Sequence, residues 1–385
     1  MPDGGRQLTR QIGRDALAAF ANWVEAAPDL GPPPQRRPGR GAVSNPAPRF
    51  DRTETVAAPD EWATLTADLT PSRTILSRDK TKSAISWNDS PDLSFDRAVN
   101  PYRGCEHGCV YCYARPSHAY LGFSPGIEFE TQIVYKPDVA AVLERELSKP
   151  GYLPRTMALG SNTDPYQPVD RTLRLTRAVL EVLDRFNHPV SIVTKSGGVV
   201  RDLDILTRMA ARGLVRVWLS VTTLDGALAR SMEPRAATPA LRLRTIRALH
   251  SAGVPAGVLA APMIPGLNDM ELEQILRAAR AEGASHAGYV LLRLPHELRG
   301  IFTAWLHEHV PHRAQRVLSL IRDTRAGDLN DSQFGQRFVG GGPYAAMLAQ
   351  RFRRIQRALE YTGRERLDVT QFRAPVRKGT QLSLL

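Results

Sequence analysis

Cysteine is almost missing from this chain: 385 residues contain three, Cys105, Cys109 and Cys112, so no disulfide framework can carry the fold. Long apolar runs are missing too. Nothing approaches the roughly 18 consecutive apolar residues of a membrane span, and the N-terminus MPDGGRQLTRQIGRDALAAF lacks the continuous apolar segment that directs export. The expected location is the cytoplasm, where reducing conditions suit unpaired thiols. Acidic residues are few relative to basic ones, 39 against 51, which leaves a net charge of +12. That excess favours a polyanionic partner, nucleic acid first, although arginines scattered over a solvated surface would give the same total. What is present is ordinary for a soluble core: 42% of the residues are apolar, enough for one large domain with appendages.

The three cysteines share one stretch, Asn100 to Arg115, NPYRGCEHGCVYCYAR, at C-x3-C-x2-C spacing. Three thiolates on a loop opened by Gly104 and relaxed by Gly108 can converge on one soft metal centre, an iron–sulfur cluster, zinc or Cu(I). A structural zinc site needs a fourth Cys or His, and here there is no fourth Cys; the nearest imidazoles are His107 and His118. The arithmetic favours a cluster with one open iron, with a zinc knuckle or unliganded thiols as the alternatives.

Around this stretch the chain alternates. Short β-branched runs, TMALG at 156–160, PVSIVT at 189–194, VRVWLSV at 215–221, VPAGVL at 254–259 and AGYVLL at 287–292, are separated by helical patterns at Arg171–Phe186, Arg201–Arg212, Pro239–Ala252 and Asp269–Glu282. With a strand leading into Cys105 this makes six β/α units in parallel, two short of a closed (β/α)8 barrel. The fold expected is α/β, a partial six-unit TIM-type barrel over 99–296. Before it stand an amphipathic helix near 7–26, a disordered Pro/Arg-rich linker reaching to about residue 59 within 1–75, and an extended lead-in at 76–98. After it come a helical cap at 297–362, able to close the open side, and a basic tail at 363–385. His307, His309 and His312 match no metal-binding helix and are expected at the surface.

Barrel chemistry gathers at the carboxyl ends of strands. Those ends carry GSNTDPYQPVD after the second strand, Lys195-Ser196-Gly197-Gly198 after the third, Ser220 at the end of the fourth and PMIPGLND after the fifth.

The C-x3-C-x2-C motif with an aromatic, Tyr111, before the last cysteine resembles the radical S-adenosylmethionine (SAM) superfamily. The wider string NPYRGCEHGCVYCYAR resembles the branch that includes spore photoproduct lyase. The resemblance covers roughly residues 97–296 and implies the same six-unit partial barrel. It implies one [4Fe–4S] cluster held by Cys105, Cys109 and Cys112, with SAM on the fourth iron, reductive cleavage to a 5′-deoxyadenosyl radical, and an electron donor such as flavodoxin or ferredoxin. It further implies that Ser161 and Asp164 meet the amino end of SAM, Lys195 its carboxylate, Ser220 the nucleoside and Tyr111 the adenine. Arg235, in Glu233-Pro234-Arg235, offers a second carboxylate partner. One departure stands out: spore photoproduct lyase carries a hydrogen-donating cysteine beside its SAM-binding serine, whereas here Gly160 precedes Ser161. A tyrosine such as Tyr166 or Tyr289 could replace that donor only by reaching the cavity.

Nine basic residues between Arg351 and Lys378 stand against Glu360, Glu365 and Asp368, with Phe352, Tyr361 and Phe372 interleaved, a pattern that fits phosphate tracking as well as a solvated helix face. The terminal Gln381-Leu382-Ser383-Leu384-Leu385 looks like the peptide by which bacterial repair proteins bind the sliding clamp. The functional expectation is radical hydrogen abstraction from a nucleic acid, in repair or base modification. The alternatives are modification of a protein or small metabolite, and a nucleic-acid-associated protein with a structural or redox-sensing cluster.

Overall fold

The computed structural model describes residues 39–50, 73–362 and 366–375; the expected helix near 7–26 and the terminal Gln381–Leu385 lie outside them. Its strands are β1 (Ile75–Arg78), β2 (Ile85–Trp87), β3 (Arg97–Val99), β4 (Tyr102–Arg103), β5 (Gln132–Tyr135), β6 (Met157–Leu159), β7 (Val190–Thr194), β8 (Val215–Ser220), β9 (Ala256–Met263) and β10 (His286–Leu291). The main sheet runs β2-β3-β6-β7-β8-β9-β10. Its last six strands are parallel, and β2 joins antiparallel at the edge. The register places Val99, Leu159, Ile192, Val217 and Ala256 side by side, all buried. This apolar row fixes pairing, because a one-residue slip would turn each side chain to the opposite face. The six expected β/α units are therefore present, in chain order and without barrel closure.

The longer helices are α1 (Val139–Leu147), α2 (Leu175–Arg185), α3 (Leu203–Ala210), α4 (Pro239–Ser251), α5 (Leu272–Ala281), α6 (Leu298–His309), α7 (Pro311–Asp323) and α8 (Gly342–Ala358). In α5, Leu272, Ile275, Leu276 and Ala279 are buried, the i, i+3, i+4, i+7 stripe of a helix laid on a sheet. α4 starts where the Thr238 hydroxyl accepts the Leu241 N–H at 3.3 Å and Pro239 fills the first position, a combination that satisfies an orphan donor and removes another.

The C-terminal helices divide their work. α6 and α7 bury Ile301, Phe302, Trp305 and Val317 against Val110 of the cysteine loop, Ile264 and Leu292, so they cap the strand ends. α8 packs on α5 and β10. The open side of the barrel is spanned by loops rather than by a helix: the Leu291 N–H donates to the Phe338 carbonyl at 2.8 Å, the Gly335 N–H to Asp92 at 2.7 Å, and Arg337 pairs with Asp92 at 2.8 Å. The polar NDSPD stretch, which interrupts the strand pattern in the sequence, supplies the carboxylate that closes this seam.

Three features were not legible from periodicity. A second sheet, β1-β5-β4, lies beside the cysteine loop; its strands of two to four residues are too short to show alternation. Residues 39–50, read as linker, are docked: Ala42 and Val43 are buried, and the Gly41 and Ala42 amides donate to the Glu130 carboxylate at 3.0 and 2.9 Å. Backbone hydrogen bonds to a buried acid replace the apolar content this segment lacks. Residues 366–375 cross the amino ends of β6 to β8, opposite the cysteines: the Asp368 N–H donates to Gly213 O at 3.0 Å and the Arg373 N–H to Phe186 O at 3.1 Å. Phe372 fills that face among Tyr152, Phe186 and His188. Tyr361 donates to Leu276 O at 2.6 Å, and Phe352 lies 4.9 Å from Tyr289. All three aromatics of the basic C-terminal stretch are thus committed to the chain's own fold and do not form a stacking surface. His309 stacks on Trp305, while His307 and His312 are exposed. Among the described residues no helix is long and apolar enough to cross a membrane.

Candidate functional site

The cysteine loop leaves β4 and is tied down on three sides. The Cys105 N–H donates to Phe129 O at 2.9 Å, the Val110 N–H to Met232 O at 2.9 Å, and the Arg235 N–H to His107 O at 3.3 Å. Cys105 and Cys109 are buried and Cys112 is half-buried. Burial pushes the Cys105 thiol well up, with Asp164 and Cys109 adding to the effect; burial also pushes Cys109 up to about 12, against the opposing field of Lys195. Neighbouring thiols add to the rise at Cys105 and at Cys109, yet among the described residues no three Cys, His, Asp or Glu side chains are drawn together as a metal-holding group. The donor set nonetheless fits a thiolate-bound centre: three sulfurs on one short loop, two of them buried with raised thiol pKa values, suit a polycationic core, whose binding displaces their protons.

Beneath the loop lies a buried pair that no sequence pattern announces. Arg115 is fully buried and donates to Cys109 O at 2.8 Å, Gly126 O at 2.7 Å and Glu130 at 2.5 Å. Glu130, also fully buried, accepts in addition the Gly41 and Ala42 amides. Gly41 lies so close to the loop that a Cβ there would stand 1.8 Å from the Gly108 carbonyl oxygen.

The strand-end groups meet at the same mouth. Asn100, after β3, donates to the Ser161 hydroxyl at 3.2 Å and accepts the Asn162 N–H at 3.0 Å; Tyr113 donates to Ser161 O. Asp164 accepts from the Thr194 hydroxyl at 2.7 Å, the Tyr166 N–H at 2.9 Å and the Lys195 N–H at 2.7 Å, and faces His107 Nδ1 at 3.3 Å. Four donors fill a carboxylate. Burial alone would raise the Asp164 pKa, but the charge and hydrogen bond of His107, with the Lys195 amide and the Thr194 hydroxyl, hold it down to about 2. A depressed carboxyl stabilises the fold above its unfolded pKa and loses that contribution as pH falls through the folded one. Asp164 should therefore contribute about 2 kcal/mol above roughly pH 4, lost towards pH 2. Urea titrations of the cluster-free chain across that range should show a shallower pH dependence for Asp164→Asn; an identical slope would remove the assignment.

Lys195 holds its ammonium 5.6 Å over the Tyr111 ring and close enough to Cys109 to act on it. Among the described residues it has no carboxylate partner. Tyr111 spends its hydroxyl on Glu233 and Thr222, the latter at 3.0 Å, which leaves only the ring for a ligand. Glu233 is buried against Arg242, whose guanidinium also donates to Ser220 O at 2.9 Å. Ser220 is buried at the end of β8. Arg235 pairs with Glu106 at 3.2 Å, so this cation already has an anion.

Two expected hydrogen donors are not brought here. Tyr166 is buried beside Asp202 and Arg201, and Tyr289 stands on the helix side of β10, against Phe352. The tyrosine that the fold does bring is Tyr113, adjacent to Cys112. At Gly160, φ is +89° and a Cβ would lie 2.3 Å from Val193 O, so this backbone has no room for a cysteine at that position.

The "Radical SAM superfamily" family model matches residues 99–279. An uncharacterised protein of Mycobacterium tuberculosis is 40% identical over 232 residues, 60% of this chain and 68% of the relative. An uncharacterised protein of Methanocaldococcus jannaschii is 27% identical over 192 residues, 50% of this chain and 69% of the relative. Among solved structures, a variant of spore photoproduct lyase matches with a TM-score of 0.53 at 17% identity, covering 80% of this chain and 85% of the other. Another, with AdoMet and dinucleoside spore photoproduct bound, matches with a TM-score of 0.51 at 16% identity, covering 74% and 78%. At such identities these likenesses speak to the fold. With a six-strand parallel partial barrel, a strand-end cysteine loop and a family match that takes in that loop and the strands β6 to β9, the chain belongs to the radical SAM superfamily, whose enzymes use a [4Fe–4S] cluster and SAM and need an external reductant.

Proposed function

We propose that this radical SAM enzyme acts on nucleic acid, and that Cys105, Cys109 and Cys112 hold its cluster. The observation that carries the reading is the meeting, at one strand-end mouth, of three thiols with the unpartnered Lys195 ammonium. With cluster and SAM bound, they supply reductive SAM cleavage and a hydrogen-abstracting radical; the chain binds and orients them. Lys195, which has no described anion of its own and lies close enough to Cys109 to act on it, takes the SAM carboxylate. Ser161, oriented by Asn100, faces the amino end. Asp164 reaches that amino group only by giving up His107, the longest of its four contacts, and otherwise positions the loop against β6 and β7. The Tyr111 ring, tethered by its hydroxyl, offers a face to adenine, and Ser220 stands near the nucleoside. Arg235 remains with Glu106.

Nucleic acid is favoured by the net charge of +12 and by the shared fold with a protein solved with a dinucleoside photoproduct bound. The test is SAM turnover. Reconstituted, dithionite-reduced protein should form 5′-deoxyadenosine, and faster with DNA or RNA present; turnover indifferent to both would set nucleic acid aside.

Lys195→Ala should weaken SAM binding by roughly 1.5–3 kcal/mol, the scale of a hydrogen bond to an ionised group, with cluster absorbance retained. Calorimetric SAM affinity equal to that of the native enzyme would return Lys195 to the surface.

A further inference from the structure

Three arginines converge where β10 ends, and only two of them have their donors engaged. Arg325 is buried and laces the Leu291, Leu292 and Gln336 carbonyls at 2.7–3.2 Å. Arg337 pairs with Asp92 at 2.8 Å and donates to Ser90. Both belong to the seam that spans the open side of the barrel. Arg293 is different. Its guanidinium is held between two rings, 4.9 Å from the Tyr113 centroid and 5.3 Å from that of Phe338, and it makes no hydrogen bond or ion pair to a described residue.

We propose that Arg293 binds a backbone phosphate of the nucleic-acid substrate at the mouth of the cysteine site, with Tyr113 beside it as a stacking face for a base. The assignment rests on the nucleic-acid reading above and says where the strand is held. A half-buried cation next to the like charge of Arg337 is costly until an anion arrives, and burial and Arg337 both lower its pKa. The planar fork suits a phosphate bidentately, and the rings on both sides keep it pre-organised. The flanking aromatics favour a polynucleotide over a simple carboxylate: Tyr113 is 47% exposed and Phe334, over which Arg337 lies, is 59% exposed. Paired phosphate and base-stacking contacts are how single strands are gripped without regard to sequence. Location completes the case. Arg293 follows the sixth parallel strand, Cys112 lies within its electrostatic reach, and Tyr113 is the next residue in the chain, so a nucleotide held here is presented to the cysteine loop. Residues 366–375 of the basic C-terminal stretch do not do this, because Phe372 and its neighbours lie at the opposite ends of the strands.

The experiment measures binding of a short fluorescein-labelled single-stranded DNA to the anaerobic, cluster-loaded enzyme across a salt series. Compared are the native protein, Arg293→Ala, Arg293→Lys and, as a surface control, Arg316→Ala on α7. Cluster absorbance, SAM affinity and the cluster midpoint potential are read on each. Arg293→Ala should bind DNA at least about tenfold more weakly, and its log–log salt slope should be smaller by about 0.7, one phosphate on a single strand. Arg293→Lys should keep the slope and lose part of the affinity, and Arg316→Ala should match the native enzyme. Cluster absorbance, SAM affinity and potential should stay unchanged in all three. If the native enzyme binds DNA and Arg293→Ala binds it equally, with the same slope, the nucleic-acid reading stands and the Arg293 assignment falls. A shifted midpoint potential with unaltered DNA binding would make Arg293 a partner of the cluster instead. Absence of DNA binding by the native enzyme overturns the nucleic-acid reading itself, and this inference with it.

Discussion

Alanine at any one of Cys105, Cys109 or Cys112 should leave a folded chain with little bound iron and only background formation of 5′-deoxyadenosine. The chain holds three cysteines in all, so no spare thiolate can take over, and a cluster bound through two sulfurs loses the geometry that leaves a single iron open to SAM. The fold should survive, because removing one sulfur from a buried site forfeits roughly 1 kcal/mol of apolar burial, small beside ordinary domain stability. Cys105 and Cys109 are enclosed, whereas Cys112 is half-buried; a serine variant at Cys112, with solvent at hand to support a partly liganded cluster, is the most favourable case for residual iron. Iron and sulfide per chain, visible absorbance and far-UV circular dichroism, taken together, separate loss of ligand from loss of fold. Full iron content in any alanine variant, or stoichiometric zinc in the native protein, would contradict the assignment.

The parts of this architecture legible in the sequence share one property: they are periodic or local. Five short apolar runs announce five of the six parallel strands, most clearly β8, which is buried at every position, and α5 shows its stripe over ten residues. The cysteines are legible because their spacing is short. Asp164 and Lys195 were found as strand-end residues, yet their partners were not: that His107 and Thr194 would fill the Asp164 carboxylate depends on contacts between loops that the pattern of neither loop encodes. Tyr289 illustrates a limit of another kind. Alternation along a strand says that neighbours face opposite ways, but in AGYVLL both faces of β10 are covered, so nothing in the run tells the helix side from the interior. Asn100, Arg115, Glu130 and Arg293 are single polar residues outside any periodic segment, and each matters only through its distance from something far along the chain. The docked 39–50 strap is hidden for the same reason, its stability residing in amides that answer a carboxylate about ninety residues later.

That carboxylate should produce the second large effect. Glu130→Ala is expected to destabilise the protein by roughly 3–5 kcal/mol, the cost of breaking a buried ion pair by removing one partner. Arg115 would keep its bonds to Cys109 O, Pro125 O and Gly126 O but carry an uncompensated charge at a fully buried position. The Gly41 and Ala42 amides would lose their acceptor as well, and each unsatisfied buried donor adds about 1–3 kcal/mol. Glu130→Gln separates the two contributions: the amide oxygen can still accept from one donor, while the NH2 group points a donor at the others, so an intermediate loss is expected. Replacing Arg115 and Glu130 together by apolar residues should cost less than Glu130→Ala alone, because no lone charge remains, yet more than nothing, because the strap amides stay unanswered. Denaturant midpoints of the cluster-free proteins give these differences. Because Arg115 also holds the Cys109 carbonyl, and the Gly108 carbonyl packs on Gly41, iron uptake under mild conditions should fall in Glu130→Ala with all three cysteines in place. A loss below about 1 kcal/mol, the level of an exposed pair, would mean that water reaches this network and that the strap is not what holds the cysteine loop.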